Sequence, residues 1–215
     1  MNLDLTSVEI SQYIFLASYL CAIFIVVYLN SLLKNIENIH PEICRKFPHI
    51  LSGLIIMHAV TVLEKSQTLI LLLLLFVGAN YTYLHKKRFP ALYAITRKSL
   101  GTILYPFTLL LLAIFLLPEN LDVFLYATGM MVVVDGFTGV IGSLYGKKVA
   151  KYEKTFLGSS VFFVLGSILG VLVGLPIFES IVFAFIIAVH EFFVRWGIDN
   201  FTIPIIATIF FLMFG

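Results

Sequence analysis

Apolar residues along this chain come in long unbroken blocks. They do not alternate as in a half-buried strand, and they do not form the one-sided stripe of a soluble helix. Eight blocks stand out, at about 13–32, 48–63, 68–84, 100–117, 121–144, 156–177, 178–194 and 202–214. A helix crosses the hydrocarbon core of a bilayer with roughly 20 apolar residues. The pattern therefore predicts an all-α polytopic membrane bundle with seven to eight transmembrane segments. The second and last blocks are short, so seven full spans plus a re-entrant piece also fits. No linker, low-complexity tract or convincing internal repeat interrupts the blocks, which predicts one integral-membrane domain over residues 1–215. The first block reads as a span and not as a cleaved signal peptide: no Lys or Arg precedes it and no small-residue cleavage site follows.

Composition narrows the function classes. Hydrophobic residues make up 60% of the 215 positions and charged residues 12%, against roughly 25% charged in a soluble domain. That excludes a soluble enzyme, a nucleic-acid module and a disordered tail. Cys21 and Cys44 offer neither a disulfide framework nor a metal-ligand spacing, and Cys21, inside an apolar block, reads as a small buried hydrophobe.

The net charge of +2 conceals a strong sorting. Lys34, Arg45 and Lys46 lie between the first two blocks, and Lys86, Lys87, Arg88, Arg97 and Lys98 between the third and fourth. Lys147, Lys148, Lys151 and Lys154 lie between the fifth and sixth, and Arg195 between the last two. These 13 of the 14 basic residues fall on one side, with Lys65 alone on the other. The positive-inside rule then predicts a cytoplasmic basic face and an outside N-terminus. Most acidic residues sit in connections. Asp135 lies well within the fifth block, Glu191 near the end of the seventh and Asp199 just before the eighth. Intramembrane carboxylates are costly and mark functional sites by default. Asp135 is the strongest candidate; Glu191 is open to pairing with Arg195 at helical i,i+4 spacing, and Asp199 also reads as functional.

Candidate chemistry follows Asp135. Gly136, Gly139, Gly142 and Gly146 form one stripe on a helix that ends at Lys147-Lys148 and runs on to Lys154-Thr155 and Gly158-Ser159. A small-residue stripe by itself means close helix packing. Here it connects an acidic group able to hold Mg²⁺, glycines that admit phosphate oxygens, Lys and Thr donors, and a helix N-terminus near Gly158 and Ser159. Together they predict a nucleotide-phosphate site at the cytoplasmic face, without the G-x-x-x-x-G-K-[ST] loop of P-loop enzymes. Arg45-Lys46 with His49, Lys98 with Gly101, and Asp199-Asn200 enter the second, fourth and eighth blocks from the same side. His58 and His190, within apolar blocks, read as hydrogen-bonded packing residues.

The ordered set Arg45-Lys46-x-x-His49, Lys98-Ser99-x-Gly101, Asp135-Gly136-x-x-Gly139-x-x-Gly142, Tyr145-Gly146-Lys147, Lys154-Thr155-x-x-Gly158-Ser159 and Asp199-Asn200-x-Thr202-x-Pro204 resembles the polyprenol kinase family. That family includes dolichol kinase, phytol kinase and CTP-dependent diacylglycerol kinase. The resemblance extends from about residue 44 to 205. It implies a multi-spanning kinase that moves the γ-phosphoryl of CTP to a lipid hydroxyl, with Mg²⁺ as cofactor. Several members carry Glu before the Gly-Ser pair, where this chain has Leu157; that departure tilts the substrate toward a long-chain isoprenoid alcohol of the dolichol, polyprenol, phytol or geranylgeraniol type. The length, short of the eukaryotic dolichol kinases, suggests a prokaryotic or archaeal cell membrane.

On this reading Asp135 holds Mg²⁺, and Asp199 is a second ligand or orients the hydroxyl. Lys147, Lys154 and Thr155 hold phosphates with backbone support from Gly158 and Ser159, beside Gly136, Gly139, Gly142 and Asn200. Arg45, Lys46 and Lys98 neutralise charge from the opposite rim, and His49 is a general base or a hydrogen-bond donor. The expected partners are a membrane lipid alcohol and CTP, with no nucleic acid. Three alternatives are a CTP-dependent diacylglycerol kinase, a phosphatidate cytidylyltransferase and an ion-coupled transporter. Against the second, its Lys-Asp pair and later Asp-Arg-x-Asp are missing; against the third, polar groups gather at one face and leave no path through the outer half.

Overall fold

Each apolar block becomes a helix. The computed structural model of the protein describes residues 5–90, 92–93, 99–149 and 154–215. Helices α1 (Leu5–Leu33), α2 (Pro41–Val62), α3 (Lys65–Leu84) and α4 (Gly101–Leu116) are followed by one long central rod. The rod comprises α5 (Leu121–Gly129), a π-helical segment (Met130–Val134) and α6 (Asp135–Tyr145). Then come α7 (Phe156–Leu172), α8 (Ile177–Phe193) and α9 (Asp199–Phe214). No strand occurs among the described residues; an isolated antiparallel bridge pairs Lys148 with Thr155. Three helical stretches, Ile10–Leu33, Lys65–Leu84 and Leu121–Tyr145, are long and apolar enough to cross a membrane, and Gly101–Leu116, Phe156–Leu172 and Asp199–Phe214 are shorter apolar helices.

The outer surface agrees with a lipid environment. Phe24, Leu84, Phe115, Leu172 and Phe178 are each more than 70% exposed, among many other exposed large apolar side chains. A water-facing monomer rarely shows so much contiguous apolar surface. Among the described residues, helix α1 buries a seam of Leu16, Ile23, Val26 and Asn30, and its Gln12 and Tyr19 bond the Val62 carbonyl and His58 of α2. Cys21 lies off that seam and is exposed, which corrects its expected burial: an apolar helix in lipid has no need to hide its small residues inside the protein. Cys44, by contrast, is buried.

The central rod is the most enclosed of the three long helices, with 67% of its apolar window buried, and it packs against α2, α7 and α9. Enclosure keeps Asp135 off the lipid face, where a charge is costly. Gly53 lets α2 approach the rod closely, since a Cβ there would overlap the Val132 side chain. His49 Nε2 donates to the Met131 carbonyl at 3.0 Å, within the π-helical segment. Such segments disturb the regular carbonyl ladder and are frequent at functional sites.

Helix α2 starts well before its apolar block. Pro41 occupies the first turn, where its missing N–H costs nothing, and His40 caps the helix by accepting the Glu42 N–H at its Nδ1, at 3.2 Å. Arg45 and Lys46 are therefore helical residues and not loop residues, on the same helix as His49. In the same way α9 begins at Asp199, three residues ahead of its apolar block.

Candidate functional site

The site forms where five element ends meet: the starts of α2, α7 and α9, the end of α8, and α6 with the connection that follows it. Three carboxylates converge there. Oxygens of Asp135, Glu191 and Asp199 all lie within 4.8 Å of one another, although the residues are 56 and 64 positions apart from the first. Asp135 and Glu191 are buried and Asp199 is half-buried.

Cations are threaded among them. Lys46 Nζ reaches Asp135 Oδ2 at 2.5 Å, with the two side chains 2% and 4% exposed. Lys154 Nζ bonds Glu191 Oε1 and also reaches Asp199 Oδ2 at 3.1 Å. Burial by itself would lower the Lys154 pKa, but Asp199 and Glu191 outweigh it and hold it above its ordinary value, so the ammonium is charged throughout the physiological range. Arg45 is bound by Glu42 one turn back, its Nε lying 3.2 Å from each carboxylate oxygen.

These groups line a cavity of about 500 Å³. Its wall carries four carboxylates (Glu42, Asp135, Glu191, Asp199) and four cations (Arg45, Lys46, Lys148, Lys154). The balance suits a ligand that brings both signs.

The glycine stripe serves this geometry by making room for protein groups. A Cβ on Gly136 would sit 2.5 Å from Ile50 Cγ1, and one on Gly139 would sit 2.5 Å from Lys46 Cε. Gly139 is thus the gap through which Lys46 reaches Asp135. Gly142 faces Thr155 and the Gly158 backbone. Gly139, Gly142 and Gly158 also line the cavity; Gly136 does not.

Thr155 is the N-cap of α7, its Oγ1 accepting the Gly158 N–H at 2.9 Å, while the Ser159 N–H bonds the Thr155 carbonyl at 3.1 Å. The expected free N–H groups at Gly158 and Ser159 are therefore already used, because a threonine at this position satisfies the first turn from within. Thr155→Ala should lower stability by about 1 kcal/mol, while Thr155→Ser should hold it; thermal melts in detergent check both.

The other expected residues divide. Lys147 is exposed and off the cavity wall, where its neighbour Lys148 stands instead. Lys98 lies outside the described residues. Asn200 is buried against α4 and leaves no room for a Cβ on Gly101, so it joins α9 to α4 and does not line the cavity. His49 is likewise away from the wall, its ring tilted at 46° to that of Tyr105 with the centroids 4.5 Å apart. With Nε2 committed to the Met131 carbonyl, it acts as a donor that ties α2 to the rod. His58 bonds the Tyr19 hydroxyl at 2.8 Å and His190 bonds the Thr202 hydroxyl at 2.7 Å.

Glu191, left open by the sequence, belongs to the cluster and takes Lys154 as its partner; Arg195 lies beyond the end of α8. Glu42, Lys148 and Thr138 are further wall residues that sequence reasoning passed over. Thr138 had a legible signal: it sits one turn after Asp135, on the glycine side of α6. Lys148 shared the signal of its neighbour Lys147 at the end of the glycine stripe, and Glu42 had none beyond being charged. Comparison with protein-family models, with curated proteins and with solved structures finds no match to this chain.

Proposed function

We propose that this chain is a membrane-embedded phosphotransferase of the polyprenol kinase type, which moves the γ-phosphoryl of CTP to the hydroxyl of a long-chain isoprenoid alcohol. One observation carries the reading: three carboxylates converge in a cavity whose wall also holds four cations. A metal–nucleotide complex has that mixed sign, and phosphoryl transfer asks chiefly for positioning and charge neutralisation. The donor set suits Mg²⁺, which takes oxygen ligands and is bound through one or two carboxylates plus substrate phosphates. Asp135 and Asp199 would hold it, and when bound it would offset phosphate charge.

The chain's own groups do the rest. Lys148 and Lys154, on either side of the bridged connection, attract the phosphates, with Arg45 across the cavity. Lys46 holds Asp135 in place through their ion pair. On this reading the eight helices, counting the rod as one, cross the bilayer with the starts of α2, α7 and α9 and the ends of α6 and α8 on one side, and the distribution of basic residues supports a cytoplasmic position for that side. The lipid alcohol enters sideways between helices, since its chain stays in the bilayer.

The test is a transfer assay on the purified chain in lipid–detergent micelles with Mg²⁺ and radiolabelled CTP. Polyprenol, phytol, geranylgeraniol and diacylglycerol are offered in parallel. The expected products are CDP and an isoprenoid monophosphate. Release of pyrophosphate would indicate cytidylyl transfer and overturn the kinase reading. Preference for diacylglycerol would overturn the substrate, and equal use of ATP the donor.

A further inference from the structure

Lys154 occupies a position that a divalent cation would compete for. Its ammonium bonds two of the three converging carboxylates, Glu191 and Asp199, and the third, Asp135, lies within 4.8 Å of both. We infer that Asp135, Glu191 and Asp199 form a three-carboxylate site for a divalent cation, with Lys154 as its resident counter-ion, and that cation binding expels the lysine side chain into the cavity.

A second observation, apart from the acidic cluster, points to a ligand. Thr138 is 4% exposed and lines the cavity, and its Oγ1 has no hydrogen-bond partner. Its methyl side faces Gly158, since Cγ2 lies 3.5 Å from where a Cβ on that glycine would be. A buried hydroxyl without a partner is costly, and an oxygen-rich ligand or its bound water at this wall would satisfy it.

Charge accounting supports the exchange. Three carboxylates with Lys46 and Lys154 sum to −3 + 2 = −1. With a dication bound and Lys154 withdrawn, the three carboxylates, Lys46 and the metal sum to −3 + 1 + 2 = 0. Retaining both lysines beside the metal would leave an excess of +1 in a buried site, so one must leave. Lys154 is the one free to do so. Lys46 is 2% exposed and enclosed by α6, whereas Lys154 is 17% exposed. The Lys154 backbone stays fixed, its carbonyl accepting the Val149 N–H at 2.9 Å, so the movement is confined to a flexible four-carbon stem. The withdrawn ammonium then stands on the wall beside Lys148, where an anion accompanying the metal would meet it. The site and the phosphate-binding lysine are thus coupled: the cation unlocks the residue that receives the nucleotide.

This inference rests on the proposed site but not on its reaction, and its test reads metal binding without nucleotide or lipid. The probe is Mn²⁺, titrated into the full chain in detergent and followed by electron paramagnetic resonance. Lys154→Gln should bind Mn²⁺ at least about tenfold tighter than wild type, because no competing ammonium must be displaced from its buried carboxylates. Adding Glu191→Gln to that variant should weaken binding by roughly 10–100-fold. A folded Lys154→Gln chain that binds no tighter, or binding indifferent to Glu191, overturns the inference. Wild type provides an arm that needs no altered fold. Amine-reactive labelling of Lys154, read by peptide mass spectrometry, should rise severalfold at saturating Mn²⁺, and unchanged or reduced labelling overturns the exchange. A chain that passes these tests yet transfers no phosphoryl group would sink the kinase reading and leave the metal site standing.

Discussion

Asp135→Asn is expected to cost about 3–5 kcal/mol of stability, because it leaves the Lys46 ammonium buried without its counter-charge. The pair is deep, at 2% and 4% side-chain exposure and 2.5 Å separation, so water does not step in. Lys46→Met should cost a similar amount by stranding the carboxylate. The double variant should lose less than the sum of the two, with a coupling of up to about 3 kcal/mol, since methionine fills the lysine stem and no charge is left alone. Activity should follow a different pattern. All three variants should fall by a factor of about 10²–10³ or more in phosphoryl transfer, the usual effect of removing one electrostatic stabiliser of the reacting group. Melting temperature and transfer rate are measured on the same preparations. A double variant that is both folded and fully active would remove Asp135 from the chemistry and leave it a structural ion pair.

Gly142→Val should be strongly damaging. A Cβ at this position would sit 2.8 Å from Thr155 Oγ1 and 3.2 Å from the Gly158 Cα. The first neighbour is a hydroxyl already committed to capping α7, and the second is backbone, so neither can swing aside. Helix α7 must move away from α6, taking Thr155 and Lys154 with it. Overpacking of this kind costs about 1–3 kcal/mol or more, and transfer should fall along with stability. Gly78 in α3 provides the contrast, since a Cβ there meets nothing within 4 Å. Gly78→Ala should raise stability by up to about 1 kcal/mol, through helix propensity alone. Parallel melts of the two variants check both signs; a neutral Gly142→Val would mean that the α6–α7 contact can slide.

The two expectations differ because the glycines do different things, and the sequence pattern could not separate them. At spacings of three and four residues, Gly136, Gly139 and Gly142 read equally well as a phosphate cradle or a packing stripe. Only the neighbours decide: Ile50 fills the space at Gly136, the Lys46 stem fills that at Gly139, and Thr155 fills that at Gly142. Lys147 and Lys148 were likewise equivalent in the sequence; both are exposed, but Lys148, which is bridged to Thr155, lines the cavity and Lys147 does not. Arg45 and Lys46 looked like topology signals at a helix entry. The Pro41 start and His40 cap carried the helix past them, and burial then required each to find an acid.

By itself the sequence determined the helical blocks, to within a few residues at most ends, because about 20 apolar residues in a row have one stable form in lipid, a helix that satisfies its own backbone. It also determined the gathering of 13 of the 14 basic residues in alternate connections between the apolar blocks, and the presence of charges at Asp135 and Glu191 within those blocks, because each of these is a property of position along the chain. Which charges meet was decided by tertiary structure alone. Lys46 and Asp135 are 89 residues apart and Lys154 and Glu191 are 37 apart, and no local spacing encodes a contact between helices that neighbour one another only after the bundle has packed.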